Sequence, residues 1–215
     1  IVQLSPDTDT IPHNVDGAYQ KRTYEYCAGY QYHDKTIVGF SHTHFSGTGH
    51  SDLGDILVMP TTGPLKLNPG TSDNPDAGYR SRFSHETEKA VPGYYEVQLD
   101  DYKVKAQLTA TPRVGVHKYT FPKDGDGRIV LDLNHGIYNY DGKTLWAFLR
   151  VENDTLLTGY RITNGWARTN YTYFAISFSH PIKNYGYRDH RRILYNGGWG
   201  KFPVNNNFPG MAGRK

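Results

Sequence analysis

Between Gly39 and Asp55 the chain reads Gly-Phe-Ser-His-Thr-His-Phe-Ser-Gly-Thr-Gly-His-Ser-Asp-Leu-Gly-Asp, gathering His42, His44, His50, Asp52, Asp55 and several small hydroxyl side chains around glycines. In a strand His42 and His44 share one face, and with His50 and Asp52 they form a candidate donor set for a transition metal. The competing reading is structural: His42 and His44 hold the loop by hydrogen bonds to backbone, while the glycines permit positive φ or close approach of a ligand. A second cluster, Phe83 to Tyr95, sets His85 beside Glu86 and Glu88, which suits acid–base work if burial raises a carboxyl pKa, or else a charged turn. In a third, Thr163-Asn164-Gly165-Trp166-Ala167-Arg168, Trp166 is either a plug for the core or a flat platform, and the core plug is the expectation. No Gly-x-Ser-x-Gly elbow, phosphate loop or dinucleotide fingerprint occurs, so acyl transfer and nucleotide chemistry find no support.

The elements that must position these groups read as strands. Lys103 to Thr111 alternates, with Val104, Ala106, Leu108 and Ala110 on one face. Tyr94 to Leu99 precedes it across the polar turn Asp100-Asp101-Tyr102, which makes a hairpin. Further strands are expected at Val114 to Phe121, Arg128 to Asn134, Thr144 to Glu152, Leu156 to Asn164 and Tyr171 to Phe178, and earlier at Ile1 to Leu4, Arg22 to Tyr32 and Asp55 to Met59. Ser84 to Ala90 alone suggests a short helical turn, with Ser84 as its N-cap. Strands spaced by such turns argue for a single all-β domain, an antiparallel sandwich of two sheets, with 181–215 as an irregular surface excursion.

Composition agrees. The chain holds 18 Tyr, 9 Phe and 3 Trp beside 2 Met, with 23 Gly and 12 Pro to supply turns. Tyrosine suits strands and presents a flat apolar ring with a polar tip, the kind of surface that receives sugars. Formal charge is +3, from 24 basic and 21 acidic residues, without the concentrated basic face that nucleic acid requires. Arg188, Arg191 and Arg192 with His190 read as a solvated loop. The single cysteine, Cys27, allows neither an internal disulfide nor a cysteine-based zinc site. No stretch approaches the roughly 20 apolar residues that span a bilayer.

Three runs carry a family resemblance: GFSHTHFSGTGHSDLGDILVMP, RFSHETEKAVPGYYEVQLDDYKVKAQLTATPRVGVHKYTFP and GYRITNGWARTNYTYFAISFSHP. Together with the opening VQLSPDT, and in this order over Val2 to Pro181, they closely resemble the N-terminal domain of glycoside hydrolase family 92, the calcium-dependent exo-acting α-mannosidases. The resemblance implies a β-sandwich of the galactose-mutarotase type, a supersandwich, followed in the parent protein by an (α/α)6 helical barrel. It implies inversion at the anomeric centre, with both catalytic carboxyl groups and most of a calcium site on that helical domain. No catalytic residue, metal ligand or cofactor is then expected in this chain.

Carried over by position, Ser46, Gly47, Thr48, Gly49, His50, Ser51 and Asp52 are the residues expected to face the substrate pocket, where mannose-containing glycan lies between the two domains. The parent is expected in the periplasm, at the cell surface or secreted. An aromatic-rich apolar patch around Phe45 and His50 should mark where the helical domain docks. The rival to this reading is an autonomous, lectin-like carbohydrate-binding module. A third class, a metal enzyme on His42, His44 and His50, is chemically distinct from both.

Overall fold

The computed structural model describes residues 1–9, 11–12, 14–47, 50–140, 142–188, 193–195, 199–203 and 211–214. The fold is all-β, and its strand pairings are antiparallel apart from one short parallel bridge between Ile11–Pro12 and Tyr138–Asn139. A central sheet runs in the order Ser5–Asp7, Gly39–Ser41, Leu57–Thr61, Arg128–Asp132, Met211–Arg214, Asn184–Arg188, Ile193–Tyr195. A four-stranded sheet, Gly115–Thr120, Val104–Ala110, Tyr94–Leu99, Lys89–Val91, covers one of its faces. A second, Asn170–Ser177, Leu156–Thr163, Thr144–Asn153, Trp199–Pro203, covers the other.

Three layers therefore replace the two sheets that turn spacing suggests, and the reason is written in the strands at the centre. Leu57, Met59 and Val130 point into one core with Val97, Leu99, Val104, Ala106 and Leu108. Val58, Ile129 and Leu131 point into the other with Ala147, Leu149 and Leu157. Successive side chains leave a strand on opposite faces, so a strand buried on both sides must be apolar throughout rather than alternating. Each fully buried Leu or Ile contributes roughly 1.5–3 kcal/mol. Outer strands keep the alternation: Val104, Ala106 and Leu108 are buried while Lys105 and Gln107 are half-buried.

Several sequence expectations change in the folded chain. Lys21–Tyr26 is a 3-10 turn rather than part of a strand; its buried residues, Thr23 and Tyr26, lie three apart, which is helical spacing. Ile1 to Leu4 forms no strand, and Ala110 is exposed although it sits on the face of Val104. Tyr102, in the turn read as polar, is buried and donates its hydroxyl to the Tyr79 carbonyl at 2.9 Å. The described part of 181–215 is not irregular, since its strands extend two of the three sheets. Ser84 does cap a short turn, His85–Thr87, its hydroxyl accepting from the Glu86 amide at 3.2 Å. Among the described residues no helix is long and apolar enough to cross a membrane.

Two polar networks, the first buried and the second half-buried, join the first strand and the 39–56 segment to the sheets. Asp7 is fully buried between His44 Nε2 at 2.8 Å and His135 Nε2 at 2.7 Å. His44 Nδ1 lies 2.8 Å from the Gln3 carbonyl, which only accepts, so both ring nitrogens carry protons and the ring is an imidazolium. Burial alone would raise the Asp7 pKa and lower that of His44, but their mutual charge and hydrogen bonds reverse both directions.

In the second network, Tyr119 OH donates to His117 Nδ1 at 2.7 Å, His117 Nε2 donates to His42 Nε2 at 3.0 Å, and His42 Nδ1 donates to the Ile56 carbonyl at 2.7 Å. This chain of donors needs both rings neutral. Burial lowers the His42 pKa, and burial followed by the proximity of His42 lowers that of His117 to about 3.

Two predictions follow from these networks. A Cβ on Gly29, where φ is +78°, would stand 2.0 Å from Asp7 Oδ1. Gly29→Ala should cost about 3 kcal/mol or more in urea unfolding, from left-handed strain plus a broken buried ion pair. The pH dependence has a defined sign. His117 is harder to protonate folded than unfolded, so stability falls as pH drops from about 6.5 towards 3. The Asp7 contribution, from a lowered carboxylate pKa, is present above the unfolded value of 3.8 and disappears as pH falls below it. The His44 contribution, from a raised pKa, is present below about 6.5 and lost as pH rises through its folded value. Urea midpoints measured across pH 3–7 should show a shallower acid decline for His117→Gln than for the natural chain; equal slopes would contradict the assignment.

Candidate functional site

The loop after Thr43 rises to the surface and returns within a dozen residues. Its base is closed by Thr43, whose hydroxyl donates to Asp55 Oδ2 at 2.7 Å and accepts from the Asp55 amide at 2.9 Å. Gly54 N donates to the Thr43 carbonyl at 2.8 Å, and His42 N to the Asp55 carbonyl at 3.0 Å. Two non-glycine residues in the returning arm, Leu53 at φ +69° and Ile56 at φ +57°, are left-handed. For a β-branched residue such as Ile56 this backbone is strained, and the surrounding hydrogen bonds and the buried Ile56 side chain hold it.

The seven residues expected to face substrate separate by depth. Ser46 and Gly47 lie exposed at the tip, Gly47 at φ +86° with open space where a Cβ would be. Thr48 and Gly49 lie outside the described residues. His50 is half-buried within a collar of rings, with centroids at 4.5 Å to Trp166, 6.1 Å to Tyr24, 6.2 Å to Phe45 and 6.2 Å to Tyr138. Its Nδ1 is buried and finds no hydrogen-bond partner among the described residues. Ser51 and Asp52 are buried.

Asp52 works inside the protein. One carboxylate oxygen accepts from Lys143 Nζ at 2.6 Å and the other from the Trp166 amide at 2.7 Å. Burial would raise the Asp52 pKa, but the Lys143 ammonium and these hydrogen bonds outweigh it and hold the carboxyl ionised. Gly165 is required here, because a Cβ would stand 2.2 Å from Asp52 Oδ2. Deeper still, the fully buried Arg161 lies 3.4 Å from Asp55, so two carboxylates and two cations balance beneath the loop. Residue spacing could not single out Lys143 or Arg161: the first follows a turn signal, Asp141-Gly142, and the second sits in an ordinary alternating strand.

By holding the 164–166 backbone, Asp52 presents the Trp166 indole outward. That side chain is 73% exposed, which overturns the core-plug expectation. Tyr24 and Tyr140 are also exposed on their outer sides, so the surface around Phe45 and His50 is aromatic.

The metal reading is corrected. His42 turns to His117 and Ile56, His44 turns to Asp7 and Gln3, and His50 enters the aromatic collar. Among the described residues no three of His, Cys, Asp or Glu converge as ligands, and Asp52 and Asp55 already face Lys143 and Arg161, so these groups do not fit a metal ion. The acid–base reading of Glu86 and Glu88 also fails. Glu88 accepts from Tyr30, Tyr95 and His85 at 3.0, 2.6 and 2.6 Å, while Glu86 is exposed on the short turn. What the site can do is stack a flat apolar ligand face on the exposed Trp166 indole, with the exposed Ser46 and Gly47 nearby in the same loop as His50.

Comparisons with known proteins bear on these features. The family model described as the glycosyl hydrolase family 92 N-terminal domain matches residues 1–206. The family GH92 α-mannosidase of Bacteroides thetaiotaomicron, solved in complex with mannoimidazole, has a TM-score of 0.80 at 36% identity, over 99% of this chain and 28% of that one. The family GH92 inverting mannosidase of Bacteroides thetaiotaomicron VPI-5482 has a TM-score of 0.66 at 25% identity, over 99% of this chain and 26% of that one. This chain thus spans little more than a quarter of the length of these solved proteins. A search of curated proteins gives no match. Matched along nearly all of its length by both family model and solved folds, the chain belongs to the N-terminal domain family of glycosyl hydrolase family 92.

Proposed function

We propose that this chain is the N-terminal domain of an inverting exo-α-mannosidase, where it forms one wall of the mannose-binding cleft and docks a helical catalytic domain. Trp166 carries the reading: a largely exposed indole, fixed through its backbone to Asp52, beside the half-buried His50, whose Nδ1 has no hydrogen-bond partner among the described residues. A pyranose offers an apolar C–H face, which the exposed aromatic plane of Trp166 matches. Support for mannose comes from the similar α-mannosidase bound to mannoimidazole, and for inversion from the similar inverting mannosidase.

Inversion needs two carboxyl groups about 6.5–9.5 Å apart, one to protonate the leaving oxygen and one to activate water. Following the family resemblance, we assign the reactive pair, and any calcium of the parent enzyme, to the helical partner domain; in this chain Asp52 and Asp55 are each committed to a buried cation. The wall's own contribution is to orient the sugar ring and exclude water. Exposed Tyr19, Tyr24 and Tyr140 around the site suit burial against that second domain.

The exposed indole also favours a second reading, an autonomous carbohydrate-binding module. Calorimetric titration of the 215-residue chain with mannose and mannobiose separates the two. The half-site reading expects no measurable heat, whereas millimolar or tighter binding supports the module; release of mannose by the purified chain alone would overturn both. In the full-length enzyme, Trp166→Ala should lower kcat/KM on mannobiose by about 10- to 100-fold with an unchanged melting temperature, as expected when a positioning surface is lost.

A further inference from the structure

Three segments carry the rings of the site, and one residue binds to all of them. Phe45 and His50 lie on the 44–55 loop, Tyr138 and Tyr140 on the segment leading into Thr144–Asn153, and Trp166 on the 164–169 loop. Lys143 Nζ donates to Asp52 Oδ1 of the first at 2.6 Å and to the Tyr138 carbonyl of the second, with the Tyr138 ring centroid 5.6 Å away. The Lys143 amide donates to the Tyr140 carbonyl at 3.1 Å. Its own carbonyl accepts from the Asn164 amide of the third segment at 2.8 Å, two residues before the Trp166 amide that Asp52 holds. With its side chain 1% exposed, Lys143 lies too deep to touch a ligand, yet every ring around His50 depends on a segment it fastens.

We propose that Lys143 is a positioning residue for the sugar site: its ammonium holds the Asp52, Tyr138 and Trp166 segments in one arrangement, and loss of its proton releases them. The inference rests on the cleft-wall reading above. An ammonium offers three N–H donors and a full charge, whereas the neutral amine keeps two donors and loses the attraction to Asp52. The groups facing Lys143 set how readily it gives up that proton. Burial opposes the charged form, the Asp52 charge and hydrogen bond favour it, Arg161 opposes it and Asp55 favours it, and the balance lowers the Lys143 pKa. Tyr138 adds only its ring face and carbonyl, while burial and the Asp52 charge raise the Tyr140 phenol. Rising pH therefore acts on this cluster through Lys143.

The test uses the full-length enzyme with mannobiose as substrate. Lys143→Met and Asp52→Asn should each lower kcat/KM about tenfold at pH 7, and the double variant, which strands no buried charge, should also lie about tenfold below the natural enzyme, as expected of two residues acting as a unit. The ratio of natural to Lys143→Met kcat/KM should then narrow steadily from pH 7 to pH 9.5, because the natural enzyme loses the proton that the variant never carries; pH effects of the reactive carboxyl groups are common to both and cancel. Single losses that multiply to about a hundredfold in the double variant, or a ratio constant across that range, overturn the proposal. A lowered melting temperature with natural kcat/KM in Lys143→Met or the double variant also overturns it, and confines the ion pair to holding the fold. The cleft-wall reading fails separately, if Trp166→Ala leaves kcat/KM on mannobiose unaffected.

Discussion

Taking the Asp52 carboxylate out of water is worthwhile only because a cation and an amide meet it on opposite sides. An isolated buried carboxylate costs several kcal/mol, and Lys143 together with the Trp166 amide offsets that cost by charge and by hydrogen bonds. The three partners come from distant parts of the chain: the loop that follows Gly39–Ser41, the segment entering Thr144–Asn153, and the hairpin that follows Leu156–Thr163. Their meeting sets where His50 and Trp166 stand relative to each other. Removing either charge would strand the other in the interior, so the ion pair couples the shape of the surface site to the folding of the sheet beneath it.

The same logic recurs across the inner sheet. Asp7 and Asp55 are buried and ionic, each opposite a cation, His44 or Arg161. The His42–His117 pair is half-buried and neutral, and can stay so only in one arrangement of protons. Apolar packing of two cores supplies the bulk of stability, while these networks specify how the 39–56 segment crosses between the sheets. Glycines make the crossings possible where contact is closest: Gly29 beside Asp7, Gly165 beside Asp52 and Gly115 beside His42 leave no room for a Cβ.

Much of the outer architecture is legible in the residues. Alternation marks Val104–Ala110 and Leu156–Thr163 because each has one wet and one dry face, and Ser84 announces its turn because an N-cap hydroxyl acts locally. The third layer is not legible: Leu57–Thr61 and Arg128–Asp132 are too short for an unbroken apolar run to say which faces are covered. Strands in 184–214 escape for a related reason: they are short, and two of them, Trp199–Pro203 and Met211–Arg214, pair with strands far away in sequence.

The site divides along the same line. By itself the sequence determined the all-β class, the family, and the glycine-rich loop 46–52 as the segment to watch, since these follow from residue order and local periodicity. Only the tertiary structure decided that Asp52 is an internal anchor, that the histidines of the loop part company, and that Trp166 faces water. Burial and charge pairing are properties of residues brought together from across the chain, and no local pattern around Trp166 records that a carboxylate 114 positions away holds its backbone.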